Sequence, residues 1–309
     1  MIRGRLAPSP TGAQHLGNAR TYLIAFWAAR SVDGEIVLRI DDLDSPRVKS
    51  WASEQAIEDL RWLGLRWDGE VAYQTQCTEA YSEALQTLIR TDRVYPCTCS
   101  RKDIEQALSA PHESRFRGEG AVYPGTCSHW HHGAPIPEIP FCWRFRASNE
   151  TLSFEDENLG EQSCNPAVEL GDFPITQKTG QSAYQLAVCV DDMTAEVTQV
   201  VRGNDLIAST FRQMQIYRAL DETAPTYAHV PLVRGMDDRR LAKRHGDTRL
   251  SVYRQSGVAP EAIVGWAAYS LGLLEKPEPC SATEMIEEFD WDRIGSQDTR
   301  IDPESIFFT

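Results

Sequence analysis

Residues Arg5 to Arg20 read RLAPSPTGAQHLGNAR, the end of an apolar strand that runs into a Pro/Gly loop and a His-Leu-Gly-Asn helix start. Ile2 to Ala7 has the pattern of a strand, and Pro8, Pro10 and Gly12 break it. Leu16, Ala19, Leu23, Phe26 and Arg30 then recur at helical spacing. The new helix points its N-terminus at whatever lies above the strand. Free N–H groups of a first helical turn and the positive end of the helix dipole favour an anion there. His15 and Asn18 add side-chain donors that can follow charge developing on a phosphate. The stretch predicts a nucleotide-phosphate cradle, with an ordinary βα turn as the plain alternative.

Outward from this loop, the first third alternates strand and helix. Glu35 to Ile40 reads as a strand, followed by a helix carrying Ala56, Leu60 and Leu63, the pattern of a parallel α/β sheet. From about 96 to 170, Gly, Pro, His and Cys replace helical periodicity, with a short alternating run at Phe141 to Phe145, and the stretch reads as an inserted module. The α/β pattern returns with Tyr184 to Val190, read as a buried strand, then Val197 to Val201 and a helix from roughly Asp205 to Leu220. Helices at Glu261 to Leu274 and Ser281 to Phe289 give a small helical end. The expected organisation is a Rossmann-like parallel-sheet body at 1–95 plus 171–245, split by an insertion at 96–170 and followed by a helical region at 246–309.

With 309 residues, 41% hydrophobic and 25% charged, the chain can bury a sizeable core as a globular enzyme. No run of about 18 apolar residues occurs, and the N-terminus passes straight into a strand, so the expected location is the cytoplasm, with no membrane partner. Eight scattered cysteines fit a reducing compartment. A net charge of −14 argues against extensive RNA binding but leaves room for a local basic face and weak, salt-sensitive contact.

Two further clusters carry chemistry. Arg240 to Gly246, RLAKRHG, is a basic loop late in the chain, otherwise a solvated face. Cys97, Cys99 and Cys127 offer three thiolates, and a closed zinc site takes four ligands; Tyr123, His129, His131 and His132 compete for the fourth place. Three reduced buried thiols without metal are the alternative. Cys142, Cys164, Cys189 and Cys280 read as structural. Asp42 and Asp44 read equally well as solvated turn acids.

HLGN and RLAKRHG together resemble the HIGH and KMSKS signatures of class I aminoacyl-tRNA synthetases. RLAPSPTG, LRIDDLDSPR at Leu38 to Arg47, WLGLRWDG at Trp62 to Gly69 and VVRGNDLIAST at Val200 to Thr210 are similar to the glutamyl-tRNA synthetases within that class. The likeness spans residues 2 to about 250 and lacks room for an anticodon-binding domain. With CTC at Cys97 to Cys99 and YPGTC at Tyr123 to Cys127, it resembles the short paralogues that attach glutamate to queuosine.

The resemblance implies that Arg5, Ser9, Asp41, Tyr184 and Arg202 hold glutamate. His15, Asn18 and Lys243 would stabilise the transition state, with His15, Gly17, Asn18, Arg240 and Lys243 on ATP. It selects Tyr123 as the fourth ligand of one structural zinc beside Cys97, Cys99 and Cys127. A guanidinium at Arg5 grips a carboxylate and meets an amide donor-to-donor, a physical basis for preferring glutamate over glutamine. Asp41 stands where the family usually has Glu, one methylene shorter for an α-ammonium. Arg240 replaces the first Lys of KMSKS, Ala242 replaces Ser, and Lys243 matches the second Lys. The implied partners are glutamate, ATP with magnesium, and queuosine-bearing tRNA(Asp), bound by a monomer. A truncated glutamyl-tRNA synthetase charging tRNA(Glu) and a noncatalytic tRNA-binding paralogue are the competing readings.

Overall fold

The strand and helix flanking the Pro/Gly loop form as β1 (Arg3–Leu6) and α1 (Leu16–Arg30). The structure is a computed structural model, and it describes residues 1–43, 48–107, 116, 122–237 and 248–302. The chain continues through β2 (Glu35–Ile40), α2 (Ser50–Trp62), β3 (Ala72–Tyr73), α3 (Thr78–Arg90), β4 (Val94–Cys97) and α4 (Arg101–Ala107). Next come β5 (Cys142–Phe145), β6 (Leu152–Asp156), β7 (Gly160–Cys164), α5 (Pro166–Glu169) and β8 (Phe173–Pro174). Then follow α6 (Tyr184–Thr194), β9 (Gln199–Gly203), α7 (Ile207–Ala219), β10 (Thr226–Val230) and β11 (Val233–Gly235). The chain ends with α8 (Leu250–Gln255), α9 (Pro260–Ser270), α10 (Met285–Glu288) and β12 (Thr299–Ile301).

β1, β2 and β3 form a parallel sheet with Arg5 opposite Val37 and Leu6 opposite Leu38. β9, β10 and β6 form a second parallel sheet, extended by the β6–β7 hairpin. The two meet where β9 runs alongside β1. There the Thr198 amide donates to the Arg3 carbonyl at 2.9 Å, and the Arg3 amide to the Thr198 hydroxyl at 2.8 Å. β1 thus has β2 on one side and β9 on the other. This is the switch point at which a doubly wound sheet opens a crevice beyond the ends of its strands.

α1 fills the space behind this seam. Eleven of its 15 residues are buried, so it is a central helix and not an amphipathic surface one. Leu23, Phe26 and Trp27 pack in one core with Leu6, Leu38, Ile263 and Trp266. The Trp27 indole donates to the Ala282 carbonyl at 2.8 Å, and buried Arg20 donates to Pro231 O at 2.6 Å and Thr299 Oγ1 at 2.7 Å. The C-terminal part is therefore stitched to the helix that carries the phosphate-loop motif.

Three expectations change. Tyr184 to Val190, read as a strand, is the start of α6. Leu186 to Asp192 are all buried, and a run of apolar residues buried on every side has neither a period of two nor of 3.6 to distinguish strand from helix. Cys142–Phe145 is a strand, but all four residues are buried and none alternates outward. The C-terminal part is not purely helical, because β12 returns to pair with β11, Val233 opposite Thr299. Residues 96–170 contribute to two sheets: β4, β5 and β8 form a small antiparallel sheet, whereas β6 pairs with β10.

On α2, Asp59 is fully buried and neither carboxylate oxygen has a hydrogen-bond partner; its nearest cation is Arg254 at 3.7 Å. Burial lifts its carboxyl to about 6, against the pull of Arg254. The folded chain therefore holds this proton more tightly than the unfolded chain. The resulting stability is present in acid and is lost as pH rises through about 6. Asp59→Asn cannot ionise, so between pH 3.5 and 7.5 the unfolding free energy of the variant should gain on the wild type by about 3 kcal/mol. Urea titrations at both pH values measure this, and parallel behaviour of the two proteins would show that the Asp59 carboxylate carries no penalty.

Candidate active site

The crevice at the β1–β9 seam holds a cavity of about 500 Å³. Arg5 and Ser9 reach it from β1 and the loop, His15, Gly17 and Asn18 from the start of α1, Asp41 from the end of β2, Tyr184 from the start of α6, and Arg202 from β9. Tyr184 is 42% exposed and stands at a helix start on the cavity wall. Arg240 and Lys243 lie outside the described residues, as does Asp44.

The first turn of α1 differs from a bare anion cradle. The Gly17 amide donates to His15 Nδ1 at 3.1 Å, the His15 amide to Asn18 Oδ1 at 3.1 Å, and the Leu16 amide to Thr248 O at 3.1 Å. His15 and Asn18 thus close a capping box, and the amides expected to be open to an anion are already engaged. What the box supplies instead is orientation. With Nδ1 accepting, the neutral imidazole carries its proton on Nε2, and with Oδ1 accepting, Asn18 keeps its amide N–H pair as donors. Gly17 permits this, because a Cβ there would stand 3.1 Å from His15 Cε1.

Arg5 and Asp41 belong to a buried charge cluster whose other members, Arg39, Asp191 and Asp192, sequence reading missed. Arg39 Nε donates to Asp41 Oδ1 at 2.7 Å and its Nη1 to Asp192 Oδ1 at 2.5 Å, with Asp191 at 3.6 Å. Asp191 also accepts from Tyr81 Oη at 2.6 Å and Gln74 Nε2 at 2.7 Å. Arg5 Nη1 donates to Val201 O at 3.0 Å across the seam, and its Nε stands 3.8 Å from Asp192. Burial opposes the charges of Arg5, Arg39, Asp41 and Asp191. It raises the Asp41 and Asp191 carboxyls, with Arg39 pulling the other way, and lowers Arg5, with Asp192 in opposition. At Arg39 the three acids outweigh burial and hold the guanidinium well above its ordinary value. The available signal was an Arg inside the apolar run Ile36 to Ile40 and paired acids ending Leu186 to Val190, since buried charges require partners.

Arg202 is held by neutral groups. Its Nε donates to His229 Nε2 at 3.2 Å, Nη1 to Gln213 Oε1 at 2.9 Å and Nη2 to Thr210 Oγ1 at 2.6 Å. His229, wholly buried, turns its other nitrogen to Asp156 at 2.5 Å. A donor on Nε2 requires the neutral ring with its proton on Nδ1, shared with Asp156. The hairpin at 152–164 therefore reaches the cavity through Asp156, His229 and Arg202.

A second cluster lies in the small antiparallel sheet region. The Cys97, Cys99 and Cys127 sulfurs lie within 4.8 Å of one another, Cys99 and Cys127 at 3.7 Å. Two sulfurs bound at ~2.3 Å to a tetrahedral zinc sit about 3.8 Å apart, so the spacing fits that ion. The Tyr123 hydroxyl stands 3.4 Å from Cys97 Sγ and 3.6 Å from Cys99 Sγ, and accepts the Cys127 amide at 2.9 Å. His131 instead turns Nδ1 to Asp92 at 2.9 Å, and no histidine joins the thiol cluster among the described residues. Hydrogen bonding with Cys142, then with Tyr123 and Arg144, outweighs burial and lowers the Cys97 thiol to about 4. Among the described residues no disulfide joins any cysteine.

A family model described as tRNA synthetases class I (E and Q), catalytic domain, matches residues 1–306. The chain belongs to this family of class I synthetases. The glutamyl-Q tRNA(Asp) synthetase of Rhodopirellula baltica is 56% identical over 315 residues, covering 96% of each chain. That of Symbiobacterium thermophilum is 42% identical, covering 99% of this chain and 98% of its own. A glutamate–tRNA ligase of Hydrogenobaculum is 36% identical but is covered over only 63% of its length. Among solved structures, a glutamate tRNA ligase from Elizabethkingia meningosepticum, in complex with its amino acid, superposes with a TM-score of 0.81 at 26% identity. It covers 98% of this chain and 67% of that one. The class I synthetase fold thus accounts for the switch-point cavity and for the α/β body around it.

Burial lowers His229 to about 4, against the pull of Asp156. The unfolded chain therefore takes up this proton first, and folding stability is lost as pH falls from about 6.5 towards 4, up to about 3 kcal/mol. Subtracting the pH profile of His229→Gln from that of the wild type, both by urea denaturation, should isolate this acid-side loss. A flat difference curve would mean that His229 is not held neutral.

Proposed function

We propose that the chain activates glutamate with ATP in the absence of tRNA, then passes the glutamyl group to the cyclopentenediol of queuosine in the anticodon of tRNA(Asp). The observation that carries this reading is the end-to-end match, across 96% and 98% of their own lengths, to relatives bearing the glutamyl-Q tRNA(Asp) synthetase name. The cavity chemistry supports it. Arg5 takes the side-chain carboxylate, Asp41 the α-ammonium, and Ser9, Tyr184 and Arg202 complete the amino-acid site. An α-carboxylate oxygen attacks the α-phosphorus of ATP, and the bond to the bridging oxygen breaks to release pyrophosphate. The acceptor hydroxyl then attacks the glutamyl carbonyl, gives up its proton, and AMP leaves. No protein nucleophile is required, and the enzyme contributes position and charge stabilisation. His15 Nε2–H and the Asn18 amide would meet the phosphates, and the resemblance adds Arg240 and Lys243, which lie outside the described residues. Magnesium enters with ATP.

Asp41 has a clear place in this scheme despite its short side chain. Arg39 holds one carboxylate oxygen at 2.7 Å, which fixes the other for the substrate ammonium. Cys97, Cys99, Cys127 and Tyr123 hold one structural zinc in the insertion at 96–170, between the two parts of the catalytic body at 1–95 and 171–245. A zinc ion would tie β4 to the segment bearing Tyr123. The enzyme works as a cytoplasmic monomer. Among the described residues no helix is long and apolar enough to cross a membrane.

Labelled glutamate with ATP, offered separately to tRNA(Asp) with and without queuosine and to tRNA(Glu), should label only the queuosine-bearing RNA. Label on tRNA(Glu) would instead make the chain a charging enzyme, and the absence of glutamate-dependent ATP–pyrophosphate exchange would remove the enzymatic reading. Arg5→Leu leaves a substrate carboxylate without its buried partner. It should lower kcat/KM for glutamate in the exchange assay by at least ~100-fold, with KM for ATP little changed. Elemental analysis should find about one zinc per chain in the wild type and almost none in Cys127→Ser. A metal-free wild type with intact fold would discard the zinc site.

A further inference from the structure

Arg202 lines the cavity while only 4% exposed, and its contacts to His229 Nε2, Gln213 Oε1 and Thr210 Oγ1 use one N–H on each of its three nitrogens. These acceptors are neutral, so the guanidinium keeps its charge, whereas Arg5 and Arg39 share Asp192. Each terminal nitrogen retains a second N–H for a substrate. Where those groups point depends on His229. The Thr210 hydroxyl accepts from Arg202 and turns its own hydrogen to His229 Nε2 at 3.0 Å. Nε2 thus receives two donors and has to carry a lone pair.

The far side of the ring enforces this. Asp156 ends β6, and its Oδ2 meets His229 Nδ1 at 2.5 Å, while Oδ1 accepts the turn amides of Asn158 and Leu159 at 3.1 and 3.0 Å. The His229 amide lies 3.1 Å from each oxygen. A carboxylate accepts and does not donate, so Nδ1 carries the ring hydrogen. Both side chains are fully buried, which shuts bulk water out of the pair.

We propose that Asp156 and His229 are positioning residues of the amino-acid site, which aim Arg202 at a glutamate carboxylate by fixing the imidazole tautomer. The assignment rests on the function proposed above and deepens the part Arg202 plays in it. Neither residue lines the cavity, so each acts through Arg202. With the hydrogen on Nε2, the ring would meet the Arg202 Nε–H donor to donor, and the guanidinium would have to turn away. The direction of one cation is thereby set from β6 through Asp156, from β10 through His229 and from α7 through Thr210 and Gln213.

Asp156→Asn tests this with almost no change of shape. Its amide oxygen has to stay with the Asn158 and Leu159 amides, because the opposite orientation sets the NH2 group against two N–H donors. The NH2 group therefore faces the ring, Nδ1 becomes an acceptor and the hydrogen moves to Nε2. In ATP–pyrophosphate exchange, KM for glutamate should rise about 20-fold, with kcat and KM for ATP within about twofold of wild type. Glu157→Gln is the control. It loosens the same hairpin, where Glu157 accepts from Gln199 and Thr226, and should leave all three quantities within about twofold. Two-bond proton–nitrogen NMR spectra of isotope-labelled histidine read the tautomer directly, with the His229 signals identified by their loss in His229→Gln. Wild type should show the hydrogen on Nδ1 and Asp156→Asn on Nε2, a change that lost stability alone does not produce. A risen KM with an unmoved tautomer, a moved tautomer with an unchanged KM, or a wild-type hydrogen on Nε2 each overturns the proposal. His229→Gln, which can offer an acceptor in place of Nε2, should keep KM for glutamate within about threefold, and His229→Leu should raise it as Asp156→Asn does. Equal KM values in these two variants overturn the proposal even where Asp156→Asn fails to fold or keeps the wild-type tautomer. Absence of exchange in the wild type strikes instead at the proposed function, because the tautomer is read on the resting protein.

Discussion

The structure around the cavity depends on the buried contact between Arg39 and three aspartates. Arg39 comes from β2, Asp41 from the end of the same strand, and Asp191 and Asp192 from α6, so one guanidinium joins the first sheet to a helix of the second half. Tyr81 on α3 and Gln74 close the remaining acceptors of Asp191. Such a cluster adds little net stability, because desolvation offsets much of the attraction. Removing a single member is costly, since it strands a charge out of water. Its effect is geometric: it admits one arrangement of β2, α6 and the Arg5 side chain, and that arrangement is the floor of the cavity.

This explains why the fold was more legible than the site. The Pro/Gly loop followed by Leu16, Leu23 and Phe26 gives α1 a start signal and a period, and Glu35 to Ile40 is a strand of the expected extent. Tyr184 to Asp192 offered neither, since Leu186 to Asp192 are buried without a break, so its helical state depends on tertiary packing that a local pattern does not encode. The residues lining the crevice were recognisable because motifs carry them. Their supports were not: Asp192 lies 153 residues from Arg39, and Asp156 lies 73 from His229. Such pairs have no sequence signature beyond a charge inside an apolar run.

The capping box refines the phosphate-loop reading in the same physical terms. A helix start with open amides attracts an anion through its dipole; one whose amides are satisfied acts through the side chains that satisfy them. His15 and Asn18 each use one polar atom on the backbone and keep the donor on the other, so the loop presents oriented side-chain donors in place of a backbone nest. Orientation fixed before the substrate arrives costs no reorganisation during reaction, which is the property a charge-stabilising site requires.

Charge placement also bears on how the cavity meets a small zwitterion. Around it Asp41, Asp191 and Asp192 balance Arg5, Arg39 and Arg202, so an entering glutamate meets discrete partners of each sign and not a uniform field. Hydrogen bonds from neutral groups leave a carboxylate its charge, as Tyr81 and Gln74 do for Asp191, so it is the opposite charge of Arg39 close by that keeps the field of this cavity small.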